Sequence, residues 1–250
     1  RWGISAYQYF KDSGLRYAVG AYKNDAFGAS GHDEDDKLTL AVTGRLTWSS
    51  AAPGDVIHLG AWHSYRDMGG NDLSARFARG EVRETNVRLV DYAVGGETAA
   101  LDSMSQSGLE FAYQANAFTL EAEYASRYLD TVDSSNELDG ERFDGFHVSA
   151  SYFLGGEQRR YKAGSALFVQ PKGIKDAWEL VARVSQMNAS SKQQGTDVTT
   201  YTLGTSYYLS SDIKLMGNLI YSDVDGAGAS TLVGDEDSGM GISARMQYLF

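Results

Sequence analysis

Six cations sit at the polar positions of runs that otherwise alternate with apolar residues: Arg45, Arg66, Arg127, Arg183, Lys214 and Arg245. Four more arginines, Arg76, Arg79, Arg83 and Arg88, crowd a long segment that carries "RFARGEVRETNVRLVDYAVGG". A guanidinium is a planar fork that grips an oxyanion through two parallel hydrogen bonds. Rings or ladders of Arg and Lys replace part of an anion's hydration shell. The chemistry these ten positions offer is recognition of phosphate-like anions. A competing arrangement lies on the same phase. Glu110, Glu121, Glu123 and Glu179 could pair with the arginines, stiffen the wall that carries them and cancel a charge preference.

Bond-making constellations are poor. The histidines are His32, His58, His63 and His147, and the chain has no cysteine. His58 and His63 stand an odd number of residues apart in one strand-like run, so they point to opposite faces and cannot share a metal. No G-x-S-x-G elbow and no H-E-x-x-H pair occurs. No metal or cofactor is expected. An enzyme would need an Asp/His cluster at a rim, and His32 beside Asp33 is the one candidate. The net charge of −11 disfavours a nucleic-acid partner.

The elements that must position these residues are strands. Gly totals 28, Tyr 16 and Phe 10, against 2 Pro, a profile suited to strands and tight turns. Eleven segments alternate with period two: Gly3–Phe10, Leu15–Lys23, Lys37–Trp48, Val56–Tyr65, Gly108–Ala115, Phe118–Arg127, Gly145–Leu154, Trp178–Gln186, Val198–Leu209, Ile213–Ser222 and Met240–Phe250. A further short strand is expected at Val87–Val94, and no segment reads as a helix. Most strands run about nine to twelve residues, the length that crosses a bilayer when tilted. Short turns ("KDSG", "SSAAPGD", "NA", "SSD") alternate with long acidic loops ("GHDEDD", "SSNELDGE", "DGAGASTLVGDEDS"). One connection breaks that rhythm, "GGEQRRYKAGSALFVQPKGIKD".

No run of about 18 apolar residues exists, so no helix spans a membrane. A transmembrane barrel shows lipid only every second residue and hides from a hydropathy window. Soluble sandwiches also alternate, but their strands average about five or six residues. Aromatics mark the strand ends here: Trp48, Tyr65, Tyr128, Trp178, Tyr201, Tyr207, Tyr221 and Tyr248, as in an interfacial belt. The expected fold is all-β, an antiparallel transmembrane β-barrel. The last run, "GISARMQYLF", puts Tyr248 and Phe250 on its apolar side and resembles the signal read by outer-membrane assembly machinery.

Several blocks together resemble the phosphate-selective porin O and P family of Gram-negative bacteria. They are "VRETNVRLVDYAVG" followed by "SGLEFAYQANAFTLEAEYA", then "SYFLGGEQRRYK", "FVQPK" and "DAWELVARVS", then "YTLGTSYYLSSDIKLMGNLIYS". The third and fifth carry its Gly-Glu-x-Arg-x-Tyr and Ala-Trp-Glu-Leu-x-x-Arg patterns. Asn116 and Ala117 stand where Gly-Pro is usual, and Asp176 and Val184 replace a usual Gly and Tyr. The resemblance implies an outer-membrane barrel of roughly sixteen strands, assembled as a homotrimer. The 250 residues then correspond to its C-terminal two-thirds or so, without its N-terminal strands. It further implies passive diffusion of small hydrophilic solutes, with phosphate-like anions preferred. The alternatives are a general or weakly cation-selective porin, or a barrel enzyme or adhesin acting through its acidic loops. Asp33–Asp36 and Asp235–Asp237 could bridge divalent cations to lipopolysaccharide.

Overall fold

A computed structural model describes residues 2–23, 40–52, 55–72, 76–78 and 88–249, with 51–52, 71–72 and 76–78 described at backbone level only. Eleven strands pair antiparallel in chain order: β1 Gly3–Phe10, β2 Leu15–Lys23, β3 Leu40–Ala52, β4 Asp55–Asp72, β7 Ala100–Ala115, β8 Phe118–Thr131, β9 Arg142–Phe153, β12 Ala177–Asn188, β13 Asp197–Tyr208, β14 Ile213–Asp225 and β15 Ser238–Tyr248. β1 and β15 are the two edges of this sheet. Two small hairpins stand apart from it, β5 Arg76–Ala78 with β6 Val90–Asp91, and β10 Arg160–Lys162 with β11 Leu167–Val169.

Period-two alternation gives the sheet an apolar and a polar face. Along β13, Tyr201 and Leu203 lie exposed on one side, while Thr200, Thr202, Ser206 and Tyr208 are buried on the other. Leu203 is 64% exposed and Ile242 83%, and no described segment of the chain covers this side. A soluble domain does not leave so large an apolar area open to water. Aromatic pairs border it at two heights, Trp178 with Tyr207 at 4.7 Å and Tyr201 with Tyr221 at 6.3 Å between ring centroids.

Turn chemistry at one end is tight. Gly14 closes the β1–β2 turn with φ 72°, where a Cβ would run into the Ser49 carbonyl. Asn116 takes φ 49° in the two-residue link between β7 and β8, a conformation asparagine tolerates.

The strands depart from expectation where alternation breaks. They run from 8 residues (β1) to 18 (β4). β4 passes Tyr65 and continues to Asp72, and β7 begins at Ala100 rather than Gly108. The β4–β7 register slips between Asp67 and Asn71, where Gly69 and Gly70 take positive φ. Backbone pairing survives such an irregularity, whereas a side-chain pattern does not. Of the strand expected at Val87–Val94, whose Val87 lies outside the described residues, Val90–Asp91 is strand, and beyond it the Asp91 carboxylate accepts from the Ala93 amide at 3.0 Å and turns the chain. A five-residue helix, α1 Ala229–Val233, lies between Gly228 and Gly234, too short to show a helical period. The third strand begins at Leu40, with residues 37–39 outside the described residues, and the last spans Ser238–Tyr248, with Phe250 also outside them.

Candidate functional site: the polar face and its inward segments

The long connection from Leu154 to Asp176, which starts from the short-turn end, folds back along the polar face. Its side chains plug into the wall. Arg159 reaches Glu179 of β12 through Nε at 3.1 Å and Nη2 at 2.6 Å, and Glu121 of β8 through Nη1 at 3.3 Å. The Tyr208 hydroxyl donates to the other Glu179 oxygen at 2.8 Å. Two residues on, the Tyr161 hydroxyl lies 2.7 Å from Nδ1 of His58, whose Nε2 lies 3.2 Å from Glu110. A neutral imidazole satisfies both contacts by accepting from Tyr161 and donating to Glu110. Arg45 closes the chain with a two-pronged grip on Glu110, at 2.8 and 2.6 Å.

Backbone contacts hold the connection in place. Gln114 donates to the Arg159 carbonyl at 2.8 Å and Arg16 to that of Gly164 at 3.1 Å. Burial works against the charge of Arg159, but Glu179 and Glu121 outweigh it and its pKa stands above the ordinary arginine value. Burial also pushes the Tyr161 hydroxyl up, which keeps its proton available.

At the opposite end, residues 88–99 fold inward and are packed by apolar groups. Val90 and Tyr92 join Met68, Met104, Leu129, Phe143, Val198 and Val224 in one buried cluster. These wall residues share the phase of the polar face, so an apolar patch stands where water-facing groups would otherwise be. Tyr92 packs on Phe143 at 6.1 Å. The 189–196 connection clamps the segment: Thr196 donates to the Leu89 carbonyl at 2.7 Å, and Gln194 donates to the carbonyls of Tyr92 and Glu97, both at 2.9 Å. Gln194 also accepts from the Glu97 amide at 3.0 Å. Gln194→Ala strips partners from these backbone groups. It is expected to loosen the segment by about 1–3 kcal/mol, read as faster limited proteolysis within residues 88–99 while the strands stay intact.

Between the two inward segments lies a cavity of about 360 Å³, roofed by Leu89 and Val90 and lined by Gln106, Glu123, Arg127, His147, Arg183 and Ser185 among others. With the Gln106 amide oxygen turned toward β8, Nε and Nη2 of Arg127 both donate to it at 2.8 Å. Arg66 is an electrostatic neighbour of Arg127. A second cavity, of about 280 Å³, lies nearer the short turns and is acidic on one side, with Glu110, Glu121 and Glu123 beside Arg45 and Tyr161.

The family model described as phosphate-selective porin O and P matches residues 4–250. The chain belongs to the phosphate-selective porin O and P family. A curated relative, Porin O of Pseudomonas aeruginosa, is 26% identical over 254 residues covering 89% of this chain and 57% of that protein, so the chain spans little more than half of its length. LpxR from Salmonella typhimurium superposes with a TM-score of 0.33 at 10% identity, covering 99% of this chain and 88% of that one, a likeness that carries no argument.

In a porin of this family the strands form an outer-membrane barrel wall, with the apolar face toward lipid and the polar face toward the lumen. Arg45, Arg66, Arg127, Arg183, Lys214 and Arg245 all stand on the polar face of the sheet. They are not one group. Arg45 is tied to Glu110 near the short turns, Lys214 sits 5.3 Å over the Tyr208 ring, and Arg245 is on the edge strand. Arg88 enters on the inward segment beside Leu89. The side chain of Arg76, and all of Arg79 and Arg83, lie outside the described residues, as do His32 and Asp33. His58 and His63 do face opposite ways: His63 is on the lipid side, 2.9 Å from the Ser107 hydroxyl. Tyr248 ends β15 on the lipid side, 62% exposed.

The expected pairing of wall arginines with wall glutamates holds for Arg45 and Glu110. Glu121 and Glu179 are instead taken by Arg159, from a connection that the alternation treats as an anomaly. Arg159, Tyr161 and His58 were missing from the candidate set. The signal that could have found them is the Gly-Glu-x-Arg-x-Tyr block, whose Arg and Tyr are the two anchors, and the Ala-Trp-Glu-Leu block, whose Glu is the partner.

Proposed function

We propose that this chain is part of a porin that passes small hydrophilic solutes passively across the outer membrane of a Gram-negative bacterium, with phosphate-like anions preferred. One observation carries the reading. On every second strand across the middle of the sheet a lumenal arginine steps toward the short-turn end. Arg66 of β4 stands opposite Met104, Arg127 of β8 opposite Gln106, two residues lower, and Arg183 of β12 opposite Ser149, below the level of Phe143 that faces Arg127. Such a descending series offers an oxyanion successive guanidinium contacts, none of which must hold it permanently. Arg88, on the described segment that folds inward, belongs to the proposed anion path, and Arg76, Arg79 and Arg83 are assigned to the same path by their place in the sequence.

Unpaired backbone edges cannot stand in hydrocarbon. The two edges of the described sheet, β1 and β15, therefore support a larger closed barrel of roughly sixteen strands, eleven of which lie in the described residues. The family supports assembly as a homotrimer. The open apolar face supports contact with lipid, and the acidic loops supply carboxylates for cation bridges to lipopolysaccharide. A second reading, a weakly selective or cation-preferring porin, is favoured by the lumenal carboxylates Glu110, Glu121, Glu123 and Glu179.

The reversal potential of the full-length protein in a planar bilayer under a salt gradient decides between them. Anion selectivity, with chloride current blocked by added phosphate, is the expected result. Weak or cation selectivity would transfer the conclusion to the second reading, and a protein without channel activity would sink both.

A further inference from the structure

We propose that Arg159, carried on the inward connection and not on the barrel wall, is a specificity-determining residue of this porin. It sets the charge of the lumen at the short-turn end by compensating Glu179 and Glu121. The inference rests on the porin reading and names the residue that tunes its ion preference.

In the acidic stretch of wall nearest the short turns, four carboxylates, Glu110, Glu121, Glu123 and Glu179, meet two guanidiniums, Arg45 and Arg159. Arg45 is spent on Glu110. Arg159 makes the ion pairs to the next two, with Lys214 a further cationic neighbour of Glu179. Its fork closes on Glu179, whose side chain is 2% exposed, while Nη1 turns to Glu121, which is 38% exposed. Glu123 has no hydrogen bond or ion pair among the described residues. The Glu179 carboxylate is held in the wall beside the Arg159 guanidinium, and a half-exposed one such as Glu121 projects its charge into the passage.

The delivery of the guanidinium is fixed from behind. Gln114, itself 1% exposed, donates to the Arg159 carbonyl. Gln158 donates to the Asn116 side chain at 3.2 Å. The compensating charge is thus built into the connection, where it can be altered without touching a strand.

The test compares Arg159→Gln, Arg159→Lys and the double variant Arg159→Gln with Glu179→Gln, in the full-length protein in planar bilayers. Reversal potential and single-channel conductance are both read. Arg159→Gln is expected to lower the anion-to-cation permeability ratio about tenfold, because one unit charge roughly 6 Å away in a water-like medium weighs about threefold on an anion and about threefold the opposite way on a cation. The double variant, which restores the local net charge, returns to the wild-type ratio, and Arg159→Lys stays near it. A purely structural role would change conductance or yield without this charge-restoring rescue.

Unchanged selectivity in Arg159→Gln overturns the proposal. So does a shift that persists in the double variant. If Arg159→Gln does not insert, Glu179→Gln alone decides, with an expected shift of similar size toward anions; no shift overturns the assignment. The wild-type ratio tests the anion-preferring reading separately, since the variants are scored by their difference from it. A wild type without channel activity overturns both.

Discussion

Leu203→Arg is expected to cost about 2–4 kcal/mol of stability in a bilayer, the range for an arginine near the midplane of a barrel's lipid face. Leu203 is 64% exposed, and on β13 it stands between Tyr201 and Tyr207, whose rings pair with Tyr221 and Trp178 on neighbouring strands. In a water-soluble sheet the same change at so open a position would be near neutral. The two environments therefore predict opposite outcomes for one substitution. Denaturant titration of the protein folded into lipid vesicles measures it, with Thr202→Ser on the lumenal face as a control for strand perturbation. An unchanged midpoint would remove lipid from the apolar face.

The second large effect is electrostatic. Arg127→Gln combined with Arg183→Gln is expected to lower anion permeability and raise cation permeability about tenfold each, about a hundredfold in their ratio, and to abolish block of chloride current by phosphate. Two unit charges each about 6 Å from an ion in a water-like medium account for roughly that factor. Both arginines line the cavity beneath Leu89 and Val90. The paired measurement is conductance at high salt, where screening shortens the reach of the remaining charges and the variant should approach wild type. A ratio that does not move would mean that Glu123 and its neighbours already balance the wall.

These two predictions draw on different levels of structure. The side that Leu203 faces is legible in the alternation of Tyr201, Leu203 and Tyr207 against Thr200, Thr202 and Ser206. So is the lumenal phase of Arg127 and Arg183. The eleven main strands were readable for the same reason, since an exposed apolar face and a polar one stamp period two on the chain. The same logic failed wherever the wall stopped alternating. Met104, Leu129 and Phe143 are apolar on the lumenal phase because residues 88–99 fold inward and bury them. The upper parts of β4 and β7 were hidden by the register slip at Asp67–Asn71.

By itself the sequence determined which residues fall on the apolar and the polar face of the sheet and where the chain turns. Those properties repeat every two residues or sit in a few adjacent ones. What the tertiary structure alone decided is which charges cancel. Arg159 meets Glu179 across 20 residues, Arg45 meets Glu110 across 65, and Thr196 clasps the carbonyl of Leu89 across 107. Such contacts leave no periodicity in the chain, because they depend on how far a connection folds back along the lumen. In the proposed pore, the sign and strength of the field follow from that folding, and not from the count of arginines on the wall.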